Sequence, residues 1–379
     1  MLILINDKTS SLLRNKGIII AILLLLTGCG KPVELGFEIN GSSFGFSDGT
    51  EVFLFDIEKG RDVQKSLVQE GKFRFYGSVE GIKKFLVHDS RFELYKTVWL
   101  DNSSFQMKVS NGDFESASTS GSEIQRQGEK WEERIIPLYK KREQLYKKQE
   151  KTEGSGAAIK TAIKRDIQAV DKEIVNQNQS FIKTHSDLKI VSLLLFESKE
   201  VFGKEITKAL YSNFQKDIKL NYWGRKLDLY LNRSYTLSIG DTIPEILLAD
   251  ISNKAISIRA YRGGYVLLEF WESSCHSCSD ENAFLREAYR SYHHYGFEIY
   301  GISLDHEKSS WQHSLERDSV SWTTVSDLEG FNGDIALCFQ IEYLPLNYLI
   351  NPQGIVLLKN IRGRDLSEEL EKIYTPKTK

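Results

Sequence analysis

Two of the four cysteines in the 379-residue chain stand close enough to react together, in the stretch Trp271-Glu272-Ser273-Ser274-Cys275-His276-Ser277-Cys278. One helical turn brings the second sulfur of such a Cys-x-x-Cys pair within reach of the first, which suits redox chemistry. The apolar run 265–270 ends directly before it, so a buried strand is expected to deliver the dithiol to the start of a helix. A thiol there faces unpaired N–H groups and the positive end of the helix dipole, and thiols in such motifs ionise roughly between pH 3.5 and 7.5. Cys275 is therefore the expected nucleophile, forming a mixed disulfide that Cys278 resolves; run backwards, the same steps oxidise a dithiol. The competing reading, two structural thiols or half of a zinc site, lacks a second Cys or His pair at ligand spacing.

Two carboxylates flank the pair, Glu269 six residues before Cys275 and Glu281 six residues after it. Glu269 interrupts an apolar strand, where a charge is costly unless neutralised or bonded. A raised pKa and proton exchange with a buried Cys278 thiol are expected of it. Cys338, between Leu337 and Phe339, reads as a buried structural thiol, with a third redox cysteine as the other possibility. His293-His294 has no carboxylate or Cys at metal spacing and reads as helix surface. His88, alone in its region, reads as a surface or core residue and not a ligand.

The elements that must position these groups follow from pattern and composition. At this length the chain should form two or three units. Its 50 Lys and Arg against 52 Asp and Glu give a formal charge of -2, with no basic excess to suggest nucleic acid. Lys8, Arg14 and Lys16 precede the apolar run 17–26, the layout of a secretory signal. From about residue 33 to 114, period-two alternation as in Phe105-Gln106-Met107-Lys108-Val109, with turns such as Asn40-Gly41 and Asp48-Gly49, predicts a small antiparallel sandwich or barrel. Beyond Gly121 the period becomes helical. Ile163, Ile167, Val170 and Ile174 mark one arm of a hairpin broken at Gly154-Ser155-Gly156, and further helices are expected over 192–202 and 204–231. From about Tyr235 strands and helices alternate to the end. The expected organisation is a signal peptide (1–28), a small all-β sandwich-like domain (29–120), a helical spacer (121–234) and an α/β C-terminal domain (235–379).

Leu26-Thr27-Gly28-Cys29 resembles the bacterial lipobox, which implies lipidation of Cys29 and a chain tethered to a membrane. The runs at 48–56, 70–81 and 99–109 resemble the small β domain that precedes thioredoxin-like domains in bacterial envelope lipoproteins, implying a docking role. The segments Ile239-Gly240-Asp241 to Ile246, residues 261–285 and residues 344–356 resemble the envelope thioredoxin-like thiol-disulfide oxidoreductases of the TlpA and ResA type. That resemblance implies a thioredoxin-like α/β fold and an enzyme exchanging Cys275 and Cys278 with protein disulfides or dithiols. It also implies a cis bond before Pro345, where an extended substrate strand could pair, and a membrane-bound electron donor, without a cofactor. Glu269 matches the buried acidic residue that precedes the Trp in thioredoxins. Glu281 matches a glutamate that tunes thiol acidity, though a plain helix-surface glutamate is equally compatible. Ser274, His276-Ser277 and Ala283 depart from the pattern and leave the direction of electron flow open, with reduction of substrates favoured. A periplasm-facing location is expected, and Gly30 after the lipobox cysteine favours the outer membrane. The alternatives are a thiol peroxidase, whose Pro-x-x-x-Thr/Ser-x-x-Cys signature is missing at Leu268 and Glu272, and a binding lipoprotein that uses the domain as a scaffold.

Overall fold

The computed structural model describes residues 36–110, 112–152, 157–232 and 237–375. The signal run, the lipobox with Cys29, the Gly154-Ser155-Gly156 break and the boundary at Tyr235 lie outside the described residues. From Gly36 onward the chain forms one compact unit. No described helix is long and apolar enough to cross a membrane.

The alternating N-terminal runs form eight strands: β1 (Phe37–Phe44), β2 (Glu51–Asp56), β3 (Arg61–Leu67), β4 (Lys72–Gly77), β5 (Lys83–Asp89), β6 (Tyr95–Leu100), β7 (Ser104–Ser110) and β8 (Asp113–Ser120). They build two four-stranded sheets, ordered β4-β1-β7-β8 and β3-β2-β5-β6. Period two puts Phe105, Met107 and Val109 on one face, and these pack with Ile39, Leu54, Phe75, Val87 and Phe114 in a shared core. One pairing departs from the antiparallel expectation: β1 and β7 run parallel, with Ile39 opposite Phe105. Alternation records which face is buried and not strand direction, and the long excursion through β2–β6 leaves room for a parallel return. His88 is a core residue. Its Nε2 lies 2.9 Å from Asp62 Oδ1, and its ring stacks on Phe53.

Five helices follow: α1 (Glu123–Lys151), α2 (Ala157–Thr184), α3 (Ile190–Ser212), α4 (Lys216–Leu220) and α5 (Tyr222–Asn232). Ser122 caps α1, its side chain accepting from Gln125 N. The helix expected over 204–231 is broken twice. The backbone N–H of Asn213 closes the end of α3, and the Asn221 side chain accepts from Gly224 N at 2.8 Å to start α5. The helices bury a core that takes in Trp99 of β6, Trp131, Phe181, Phe196 and Trp223, and reaches Leu337 of the next layer. Lys226 of α5, itself buried, bonds Glu329 and Asp334. This layer is thus packed against its neighbours on both sides.

The C-terminal region is a seven-stranded sheet with helices on both faces. Its strands are β9 (Leu247–Asp250), β10 (Ala255–Ser257), β11 (Tyr265–Trp271), β12 (Phe297–Ser303), β13 (Thr323–Ser326), β14 (Leu346–Ile350) and β15 (Val356–Lys359); its helices are α6 (His276–Tyr292), α7 (Lys308–Arg317), α8 (Asp334–Phe339) and α9 (Gly363–Tyr374). The sheet order is β10-β9-β13-β12-β11-β14-β15. β11 lies inside it, parallel to β12 and antiparallel to β14. Burial on both faces explains its unbroken apolar run. Leu267 packs with Leu285 of α6 and Leu366 and Leu370 of α9. Val266, Leu268 and Phe270 pack on the opposite face with Ala336 and Phe339 of α8.

Candidate active site

β11 ends at Trp271, and a four-residue turn carries the chain to α6, with Cys275 as its N-cap. Cys275 and Cys278 are joined as a disulfide, with S–S 2.01 Å and Cα–Cα 5.3 Å. The two sulfurs are unlike in surroundings. Cys278 is 1% exposed, whereas Cys275 is half-buried and reachable. The backbone N–H of Cys278 points at Cys275 Sγ at 3.2 Å, so a thiolate on Cys275 would meet a donor and the helix dipole together. This asymmetry makes Cys275 the sulfur that a partner can attack, and Cys278 the resolving one.

Around the pair lies an apolar collar of Trp271, Trp311 from α7, Leu328 and Leu344. The turn before Cys275 is held from below by Asp305, a buried residue that sequence reasoning missed. Its carboxylate accepts from the Ser273 backbone N–H (3.2 Å to Oδ1), from the Ser273 hydroxyl and from Ser303 Oγ (2.6 Å). Its place directly beyond the carboxyl end of β12 was the available signal, since sites in α/β sheets gather there.

Glu269 shares the face of β11 that carries Leu267 and Trp271, beneath α6. It is 1% exposed, and its Oε1 has no hydrogen-bond partner among the described residues. Burial pushes its carboxyl up to about 8, opposed by the Arg362 guanidinium and reinforced by the Glu281 carboxylate. Glu281 is not the plain helix-surface glutamate that was equally compatible with the sequence. It is 8% exposed, and Oε1 accepts from the Gly363 backbone N–H at 2.6 Å, because α9 packs across α6 there. The Leu344–Pro345 bond is cis. The carbonyl oxygen of Pro345 accepts from Arg362 Nη2 at 2.5 Å. Glu269, Glu281 and Pro345 thus meet through Arg362-Gly363, two residues that no local pattern marked.

The remaining candidates stand apart from this group. Cys338, on α8, is half-buried against the core of the opposite sheet face. His276 is exposed at the first position of α6. His293 Nδ1 lies 3.0 Å from Glu298 Oε1 at the far end of that helix.

Residues 239–359 match the model of the AhpC/TSA family. The thiol-disulfide oxidoreductase ResA of Bacillus cereus is 25% identical over 142 residues, covering 38% of this chain and 80% of that protein. The thioredoxin domain of a thiol-disulfide oxidoreductase from Bacteroides vulgatus is 31% identical and is covered over 98% of its length, against 36% of this chain, with a TM-score of 0.35. A thiol-disulfide oxidoreductase from Bacteroides fragilis is likewise 31% identical, covered over 99% of its length against 35% of this chain, with a TM-score of 0.33. The chain belongs to the thioredoxin-family thiol-disulfide oxidoreductases. Within this thioredoxin-family enzyme the family model begins beyond the β sandwich and the helical layer. The family chemistry therefore falls on residues 239–359, which hold the disulfide.

Proposed function

We propose that this thioredoxin-family oxidoreductase is a lipid-anchored protein of the cell envelope that reduces disulfides in protein substrates. The observation that carries the exchange is the unequal exposure of Cys275 and Cys278. In the reduced enzyme the Cys275 thiolate attacks one sulfur of a substrate disulfide and expels the other as a thiolate. Glu269 in its ionised form takes the proton of Cys278, which attacks Cys275 Sγ, frees the second substrate thiol and closes the disulfide. Two electrons leave the dithiol for the substrate. A membrane-bound donor returns them.

A polypeptide substrate is supported by Tyr343, 57% exposed beside the Pro345 loop, and by the half-buried Leu344 next to it, which offer apolar area to an extended chain. The β sandwich and helical layer serve to position such partners. The anchor is supported by Leu26-Thr27-Gly28-Cys29 after the apolar run 17–26, and Gly30 favours the outer membrane.

Peroxide reduction is a second reading, favoured by the description of the matching family model. Against it stand Leu268 and Glu272 where the peroxidatic signature requires Pro and Thr or Ser.

The test is trapping by Cys278→Ser in intact envelopes, with Cys275→Ser as control. Mixed disulfides to proteins that dithiothreitol releases are expected from the first variant alone. Peroxide consumption sustained by Cys275 without trapped partners favours the second reading, and no thiol reaction of either kind leaves only a scaffold. The anchor is checked by replacing Cys29 with Ala, which should release the protein from membranes.

A further inference from the structure

Three segments of the site converge on residues 361–363, just before and at the start of α9. Arg362 Nη2 donates to the carbonyl of Pro345 at 2.5 Å, and Nη1 to the carbonyl of Ile361 at 3.3 Å. The Ile361 carbonyl also accepts from Asn347 Nδ2 at 2.8 Å, and Asn347 stands directly opposite Glu269 in the β11–β14 pairing. Gly363 N–H reaches Glu281 on α6 at 2.6 Å. Gly363 has φ 49°, a left-handed conformation that favours glycine and turns this N–H toward the active helix.

The hydrogen bonds of the guanidinium described here go to carbonyls, while its charge acts on carboxylates. The groups acting on Arg362 are Glu269 from β11, Glu281 from α6 and Tyr343 from the Pro345 loop; burial opposes its charge and these three favour it. Arg362 is the cation acting on Glu269 among the described residues. A planar fork can hold two carbonyls and present a fixed charge together, which an ammonium cannot reproduce.

We propose that Arg362 is a positioning residue for the thiol exchange: it fixes the Pro345 loop against the Cys275–Cys278 helix and sets the charge beside Glu269. The inference rests on the exchange reading above. In the oxidised protein neither active-site thiol titrates, so no thiol ionisation overlaps that of Glu269.

The experiment compares full-length wild type, R362Q and R362K. Glu269 is followed by carboxyl carbon NMR of glutamate-labelled oxidised protein, its resonance assigned with E269Q. The KM for a fluorogenic peptide disulfide is measured with dithiothreitol as reductant. R362Q should raise the Glu269 midpoint by about one pH unit or more, because a lowering charge is gone. It should also raise KM about tenfold, because the Pro345 carbonyl loses a charged donor. R362K should keep the Glu269 midpoint near that of wild type while KM stays raised. A Glu269 midpoint unmoved in folded R362Q, or shifted alike in both variants, overturns the proposal. Should R362Q not fold, R362K decides, and an unchanged KM in it overturns the proposal. Failure of the exchange reading shows separately, as wild type that does not turn over the peptide disulfide.

Discussion

The Gly363 backbone N–H donates to Glu281 Oε1 at 2.6 Å across 82 residues of chain, tying the start of α9 to the helix that carries the disulfide. A carboxylate in this place acts as an acceptor first, whatever it does to the thiols.

Glu281→Ala should therefore destabilise the oxidised protein by about 1–3 kcal/mol, the cost of stranding a buried donor. Glu281→Gln keeps an acceptor oxygen and should cost less than half as much. Urea unfolding at pH 7 distinguishes them; equal losses would mean that the bond contributes nothing.

The buried Glu269 makes stability depend on pH in a definite direction. Its folded value, about 8, lies above that of an unfolded glutamate, near 4.3. Between these the folded state holds a proton that the unfolded state has released. The contribution is complete below the unfolded value and is lost as pH rises through the folded one, at about 1.4 kcal/mol per pH unit. The stability of wild type relative to Glu269→Gln should thus fall from about pH 4.5 to 8 and then level off. A flat difference across that range would contradict the placement.

Much of this site was legible because it is local. An apolar strand followed by Cys-x-x-Cys places a thiol at a helix start, and Glu269 stood out as a charge inside that strand. What stayed hidden depends on contacts across the chain. Arg362 and Gly363 follow β15 with no periodicity of their own, and only the packing of α9 brings them to Pro345 and Glu281. The parallel pairing of β1 with β7 was hidden because alternation carries no direction. The breaks at Asn213 and Asn221 depend on local capping bonds, from Asn213 N–H to the Leu210 and Tyr211 carbonyls and from Gly224 N–H to the Asn221 side chain, which residue spacing does not reveal.

Asp305 holds the turn before the nucleophile through Ser273. Asp305→Ala leaves the Ser273 N–H and two hydroxyls without their acceptor and should cost about 2–3 kcal/mol. It should also slow reduction of a peptide disulfide, because Cys275 loses its fixed approach. Chemical denaturation paired with stopped-flow reduction checks both; a rate unchanged despite lost stability would show that Asp305 supports the fold alone.

Lys226 links α5 to Glu329 and Asp334 of the thioredoxin-like layer. Lys226→Met should destabilise by about 2 kcal/mol, below the range for a fully enclosed pair because the Asp334 side chain is 63% exposed. Thermal unfolding at low and high salt should show this loss with little change in the chemistry of Cys275.

The proposed reduction of substrate disulfides by Cys275 and Cys278 is tested most directly by the reduction potential of that couple. Equilibrating the full-length protein with dithiothreitol redox buffers at pH 7 and counting free thiols gives the value. A potential near about -270 mV, close to that of thioredoxin, is the predicted result. A potential near about -120 mV, that of a strong oxidant, would contradict it.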